Sequence, residues 1–180
     1  KEGTTITANK FNYKKNINFL EAKENVKVDD SDQEILIFAE EIAYEINKEL
    51  IYTKDFTRAI VEKKYNFTSK NVLFNRDKME LSSNDDTKVT DNHSNLLELD
   101  EFNYLKNNYL LKGSNMRVTT NYNLKDSDKY FFSNGFFDLK KNNFIAAETT
   151  ILMHNDIFGN ENNEPRIKGR SSLKKDEITQ

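Results

Sequence analysis

Cysteine is absent from the 180 residues. Disulfides and thiolate-ligated metals are therefore excluded within the chain. The absence says little about compartment, because cysteine-free exported proteins exist. Proline occurs once, at Pro165, and every strand-like stretch before it keeps its full set of backbone donors. Glycine occurs five times, and no phosphate-cradling glycine loop is present. No apolar run approaches the length of a spanning helix. No signal peptide is visible at Lys1, as expected of a mature or trimmed fragment. The net charge is only −3, which argues against a polyanion partner held by bulk charge. Hydrophobic residues make up 36% and charged residues 32%. That balance suits one elongated domain with much surface and a thin core.

What the chain has is a repeat. The stretch Ile37-Phe38-Ala39-Glu40-Glu41-Ile42-Ala43-Tyr44 has counterparts at Ile6 to Tyr13, Phe67 to Phe74 and Leu97 to Tyr104. A worn copy runs from Phe131 to Asp138. The small or apolar anchors are Ala8, Ala39, Ser69, Leu99 and Ser133, at spacings of 31, 30, 30 and 34 residues. A fixed period in this range marks stacked supersecondary units. The repeats occupy residues 6–28, 34–61, 65–90, 96–120 and 130–153. Residues 121–129 form a longer polar connection.

Each copy reads as strand, turn, strand. Ile37 and Ala39 alternate on one face, as do Ile42 and Tyr44. The step from Ala39 to Ile42 is odd, so a bulge or bend must restore the face. Lys14-Lys15-Asn16, Asn47-Lys48, Arg76-Asp77-Lys78, Lys106-Asn107-Asn108 and Lys140-Lys141-Asn142-Asn143 are polar turn chemistry. A helix over 39–50 is the weaker reading, because the other copies are rich in Phe, Tyr, Asn and Thr. Roughly ten strands at ~4.8 Å spacing are expected. The abundance of Asn and Lys reads as compositional bias.

Catalytic constellations find little support. His93 lies in a polar loop, and neither it nor His154 has metal-ligand spacing. Adjacent carboxylates such as Glu40-Glu41 would point to opposite faces of a strand. The acidic loop Ser82 to Asp86 lacks the alternating ligands and sharp glycine turn of a calcium site, so a solvated turn is expected. The aromatic residues lack the interleaved basic face of a nucleic-acid platform. No metal, cofactor or nucleic-acid partner is expected, and no enzymatic activity. The apolar face remains. Ile37, Ala39, Ile42, Tyr44, Phe67, Val72, Phe74, Leu97, Leu99, Phe102 and Tyr104 should point inward, as core or as the lining of a trough that holds acyl chains.

The pattern I-x-A-x-x-[FI]-x-Y, turn, F-x-E-A-x-x-N-V-x-V resembles the OstA-like repeat of the lipopolysaccharide transport proteins. Ile6, Ala8, Tyr13, Ala22, Asn25, Val26 and Val28 carry it in the first copy. The tail from His154 to Ser172 looks like the segment that joins the periplasmic domain to the barrel in the LptD family of outer-membrane lipopolysaccharide-assembly proteins.

The resemblance implies an all-β, folded and twisted antiparallel β-jelly roll. It implies residues 1–153 as a periplasmic repeat domain, and residues 154–180 as a linker toward a β-barrel in the cell outer membrane. The chain would then pass lipopolysaccharide along its trough. It would receive it from an LptA-like periplasmic bridge protein paired on the first edge strand at Ile6, Ala8, Phe11 and Tyr13. An LptE-like lipoprotein would be met through the barrel. Family members have cysteines that link this domain to the barrel, so docking here would rest on non-covalent contacts. The fifth copy has Asp138 where Tyr is expected, which suits an end cap or adaptor. The alternatives are a free LptA-like bridge, a filled structural solenoid for adhesion or assembly, and a glycan hydrolase or carbohydrate-binding jelly roll.

Overall fold

A computed structural model describes residues 3–155, 157–159, 165–175 and 178–179. Its strands in chain order are β1 (Thr4–Thr7), β2 (Lys10–Lys14), β3 (Phe19–Asp30), β4 (Ile35–Glu45), β5 (Leu50–Val61), β6 (Tyr65–Lys70), β7 (Leu73–Asn75) and β8 (Glu80–Ser83). There follow β9 (Thr87–Thr90), β10 (Leu96–Leu99), β11 (Glu101–Leu105), β12 (Leu110–Thr119), β13 (Lys129–Asp138), β14 (Asn143–Leu152), β15 (Arg166–Lys175) and β16 (Ile178–Thr179). All sixteen belong to one sheet, and every pairing is antiparallel. The helices among the described residues are four 3-10 turns of three residues each. The fold is an all-β, jelly-roll-like antiparallel body. Strands outnumber the expected ten because a mid-strand break divides several repeat arms in two.

That break is the crease of the structure. The β3–β4 register shifts between Lys23 and Val26, and the β4–β5 register shifts between Ala39 and Glu41. The second shift falls inside the odd step that the sequence shows. Glu24, Asn25, Asp55, Asn71, Asn115 and Glu148 take positive φ along the same line. The strands fold over there. Phe132 and Phe137 lie on one strand, and five residues of straight strand would separate them by ~17 Å. Their ring centroids are 5.6 Å apart. Likewise the Thr53 and Thr57 hydroxyls meet at 2.6 Å across Asp55.

The crease divides the sheet into two leaves. One leaf carries β1, residues 26–30, 35–39 and 57–61, then β6, β9 and β10. The other carries β2, residues 19–23, 41–45 and 50–54, then β7, β8 and β11. β12 to β15 span both. The leaves close on one core, shown by Phe67 of β6 packing on Phe102 and Tyr104 of β11 at 5.4 and 5.2 Å. Burying each such aromatic or aliphatic side chain stabilises by about 1.5–3 kcal/mol.

At the outer rims the repeat period becomes a backbone ladder. Asn18, Glu49, Met79 and Tyr109 adopt the left-handed conformation. Their carbonyls accept hydrogen bonds from Ile46, Arg76, Lys106 and Leu139 of the following repeat at 2.9–3.0 Å. Each rim thus satisfies the turn carbonyls that would otherwise lack partners. The sequence boundaries near 34, 65, 96 and 130 all fall on turns of the first leaf's rim.

The sheet does not end at residue 153. Arg166–Lys175 pairs with β14 from Leu152↔Arg166 to Phe144↔Lys174. This part of the expected tail is a strand, and Pro165 just precedes it. Its inward positions, Ile167, Gly169, Ser172 and Lys174, include only one apolar side chain, which hides the alternation. Residues 156, 160–164, 176, 177 and 180 of the expected linker lie outside the described residues.

Gly113 of β12 faces Phe102 and Gly135 on its two neighbours. An added Cβ would sit 2.6 Å from Leu99 Cδ1 and 2.9 Å from the Glu101 carbonyl oxygen. Gly113→Ala should lower unfolding stability by about 1–3 kcal/mol through this overpacking. An unchanged urea midpoint would contradict the tight approach of β10 and β11 onto β12.

Candidate apolar cleft between the leaves

The inward residues form one continuous core that runs through all five repeats, from Ala22 to Ala146. Ile37, Ile42, Tyr44, Phe67, Val72, Phe74, Leu99, Phe102 and Tyr104 are buried in it, with Ala39 packed against its margin. All point inward as the pattern predicts. With Leu97, these residues other than Ala39 are buried between the two leaves. Of the eleven expected lining residues, Leu97 reaches the apolar cavity described next, and Phe102 borders a separate, polar pocket with Lys112 and Gly113.

That cavity lies in the C-terminal half, where the rims part. It measures about 190 Å³. Val89 and Leu97 form one wall with Val118, while Phe132, Phe137 and Phe144 form the other. The three Phe rings pack as a unit, with centroids 5.2–5.6 Å apart. Tyr130 extends the wall, stacked 6.4 Å from Phe132. Burial, with Asp128 nearby, pushes its hydroxyl pKa above the ordinary tyrosine value, so the phenol stays neutral.

Two features open the cleft. The first is loop length: residues 120–128 join β12 to β13, whereas the earlier connections on that rim use three to five residues. The 34-residue spacing in the sequence is this insertion. The second is β15, whose inward Gly169, Ser172 and Lys174 put little apolar bulk over Thr149, Ala146 and Phe144. Lys174 lines the cleft beside Phe144, and Asp91 and Asn95 sit at the opposite rim. Tyr65 closes the inner end, where its hydroxyl donates to the Leu139 carbonyl at 2.7 Å.

The expected edge is present but divided. Ile6 lies on β1 in one leaf, whereas Phe11 and Tyr13 lie on β2 in the other. Ala8 sits at the crease between them. Both strands pair with β3 alone among the described strands, so each has an unpaired outer edge. Phe11 and Tyr13 face inward, opposite Ala22 and Leu20. They are nonetheless 53% and 51% exposed, because nothing stacks beyond the end of the body.

The discounted groups have structural roles. Asp91 accepts bonds from the His93 and Asn95 backbone N–H groups and shapes that rim turn. Asp85 holds the crease through Asn71 and Thr87. His154 Nδ1 lies 2.9 Å from Asp128 Oδ1. The aromatic wall at Phe132, Phe137 and Phe144 escaped sequence reading. Its signal was there, as paired phenylalanines at 131–132 and 136–137 followed by Phe144.

No protein-family model and no curated protein matches the chain. Among solved structures it is similar to LptH of Pseudomonas aeruginosa, described as the LptA-homologous periplasmic component of the conserved lipopolysaccharide transport device. The identity is 9%, the coverage 80% of this chain and 81% of that one, and the TM-score 0.32. At that identity and score the similarity says nothing about what this chain binds.

Tyr104 is fully buried, and its hydroxyl is the one buried side-chain polar atom without a hydrogen-bond partner among the described residues. Burial and the nearby Glu62 carboxylate raise its pKa, keeping it neutral. An unpartnered buried hydroxyl costs about 1–3 kcal/mol. Tyr104→Phe should therefore match or exceed the wild-type melting temperature. A clear loss of stability would show that the hydroxyl has a partner in solution.

Proposed function

We propose that this chain is a periplasmic conduit for the acyl chains of lipopolysaccharide. The observation that carries the reading is the apolar cleft between the leaves, walled by Leu97, Val118 and Phe132 and open to solvent at the rims. Such a cleft accepts a flexible hydrocarbon with its polar head left outside. Each methylene moved out of water contributes about 0.8 kcal/mol. The resemblance of the repeats to those of the transport proteins supports the same reading. It makes the chain a carrier and not an enzyme.

Within that reading, the chain is the domain that hands lipopolysaccharide to an outer-membrane barrel of the LptD kind, with an LptE-like lipoprotein met through the barrel. The unpaired edges of β1 and β2 suit strand addition by an LptA-like bridge protein. A free bridge of the LptA kind is the alternative within the same function. A filled structural solenoid is the rival of another class, favoured by the packed interior of the first three repeats.

Photo-crosslinking amino acids at Leu97, Val118 and Phe132 should label purified lipopolysaccharide, while the outward-facing Phe136 should not. Phe132→Asp should abolish labelling at Leu97, because an unpaired carboxylate in the cleft costs several kcal/mol. If Leu97, Val118 and Phe132 all stay unlabelled in folded protein, the cleft is only packing space and the solenoid reading stands.

A further inference from the structure

Among the described residues, three sets of bonds cross between the rims before the cleft begins. Nearest the cleft is the Tyr65 hydroxyl on the Leu139 carbonyl. Next is Lys106 from the second leaf's rim, 3.6 Å from Glu62 on the first. Deepest in the body is Arg76. Its backbone belongs to the turn after β7, on the second leaf's rim, yet its side chain is only 3% exposed. The guanidinium donates from Nε to Asp30 Oδ2 at 3.2 Å, across the gap on the first leaf. On its own leaf it donates from Nη1 to the Tyr44 hydroxyl at 2.8 Å and to the Glu49 carboxylate. A fourth bond, from Nη2, reaches the Thr4 hydroxyl on edge strand β1. Thr4 in turn donates to Asp30 Oδ2 at 3.0 Å, and Tyr44 to Glu49 Oε2 at 3.0 Å.

This cluster has one cation and two carboxylates, one from each rim. Without the guanidinium, closing the rims would bring two poorly solvated carboxylates toward each other, which is unfavourable. Closure over the first three repeats therefore depends on Arg76. A plug of apolar side chains would close the same gap with less desolvation cost, but it would offer no discrete bond to release. Behind the cluster lies the same kind of apolar interior that lines the cleft, including Ile37, Ile42 and Phe74.

We propose that Arg76 is the innermost latch between the leaves: when it releases, the rims part over the N-terminal repeats, and a hydrocarbon chain that has parted the weaker bonds at Tyr65 and Lys106 can extend the blind cleft inward, so that a longer chain can enter. Because Thr4 is part of the cluster, the edge strand β1 is tied to the closed state. The extension of the cleft rests on its reading as an acyl-chain site; the closure of the rims does not.

The absence of cysteine makes the test clean. Spin labels at Gln33→Cys and Lys48→Cys, beside Asp30 and Glu49 on opposite rims, report the latched gap by pulsed electron resonance. A second pair, Tyr122→Cys and Lys141→Cys, reports the rims at the cleft. Arg76→Met should lengthen and broaden the first distance distribution and leave the second unchanged. Adding Asp30→Asn and Glu49→Gln should restore much of the short distance by removing the carboxylate repulsion. Arg76→Lys keeps the charge but loses the fork of donors, and should give a partial opening even if Arg76→Met does not fold. If circular dichroism shows folded Arg76→Met or Arg76→Lys with an unchanged first distance, the latch is overturned.

Binding of octanoate and palmitate to the same proteins reads the ligand side. The preference for palmitate should rise roughly tenfold in Arg76→Met, or by a smaller factor in Arg76→Lys. An opened gap with an unchanged preference overturns the control of ligand length. An opened gap with no binding of either acid, in variant or wild type, overturns the acyl-chain reading of the cleft and leaves the latch standing.

Discussion

The crease is the constraint on which everything else depends. A single antiparallel sheet of this size has one apolar face, and without a second layer that face must be buried by the sheet itself. Folding the sheet requires strands to turn through a line of left-handed residues, each costing about 1–2 kcal/mol for an ordinary side chain. Asn and Asp reduce that cost, since their side chains bond locally in this conformation. Among the described residues, seven of the seventeen non-glycine residues with positive φ are Asn. At Asp55 and Asn71 two crease positions support one another. The Asn71 N–H donates to the Asp55 carbonyl, and the Asp55 N–H to the Asn71 side-chain oxygen, both at 3.0 Å. The chain is poor in glycine because asparagine does much of glycine's conformational work here.

Much of this was legible from residue order. The 30-residue spacing marks the repeats. The odd step from Ala39 to Ile42 marks the crease, because a side-chain period of two can be restored only by a local break in register. Polar triplets such as Lys106-Asn107-Asn108 mark the rims. The reading of asparagine as compositional bias misses its role, since a conformational preference leaves no trace in a hydrophobic pattern. Arg76 is lost for a related reason. Between Asn75 and Asp77 it has the look of any solvated turn residue, and its partners Asp30 and Thr4 lie 46 and 72 positions away. Burial of a charge is decided by which rims meet, and that is a property of the fold.

The site was half legible. Inward orientation at Ile42, Phe74 and Phe102 follows from alternation alone. Whether the facing leaf covers those residues does not, because coverage depends on the separation of two rims that belong to different repeats. The rims are separated by the nine residues at 120–128 and by the small inward side chains of β15. Both appear in the sequence as irregularity: a stretched period, and a strand whose alternation fades. In a repeat protein such departures mark the places where neighbours stop covering one another.

A uniform stack would make every repeat energetically alike, and its interior would be either all open or all closed. This chain grades its rims instead. Buried charge joins them at Arg76, a partly exposed ion pair at Lys106 and Glu62, and a single neutral hydrogen bond at Tyr65. Beyond Tyr65 no described bond spans them until the cleft opens on Phe132 and Phe144. The strength of rim closure falls in the direction in which the interior becomes accessible. Removing one partner of a buried ion pair costs about 3–5 kcal/mol, whereas a neutral hydrogen bond contributes about 1 kcal/mol. An invading hydrocarbon chain therefore meets the least resistance at Tyr65. It would have to part the bonds in order, weakest first, to reach the core of the first repeats. The gradient gives the stack a direction that its repeated sequence lacks.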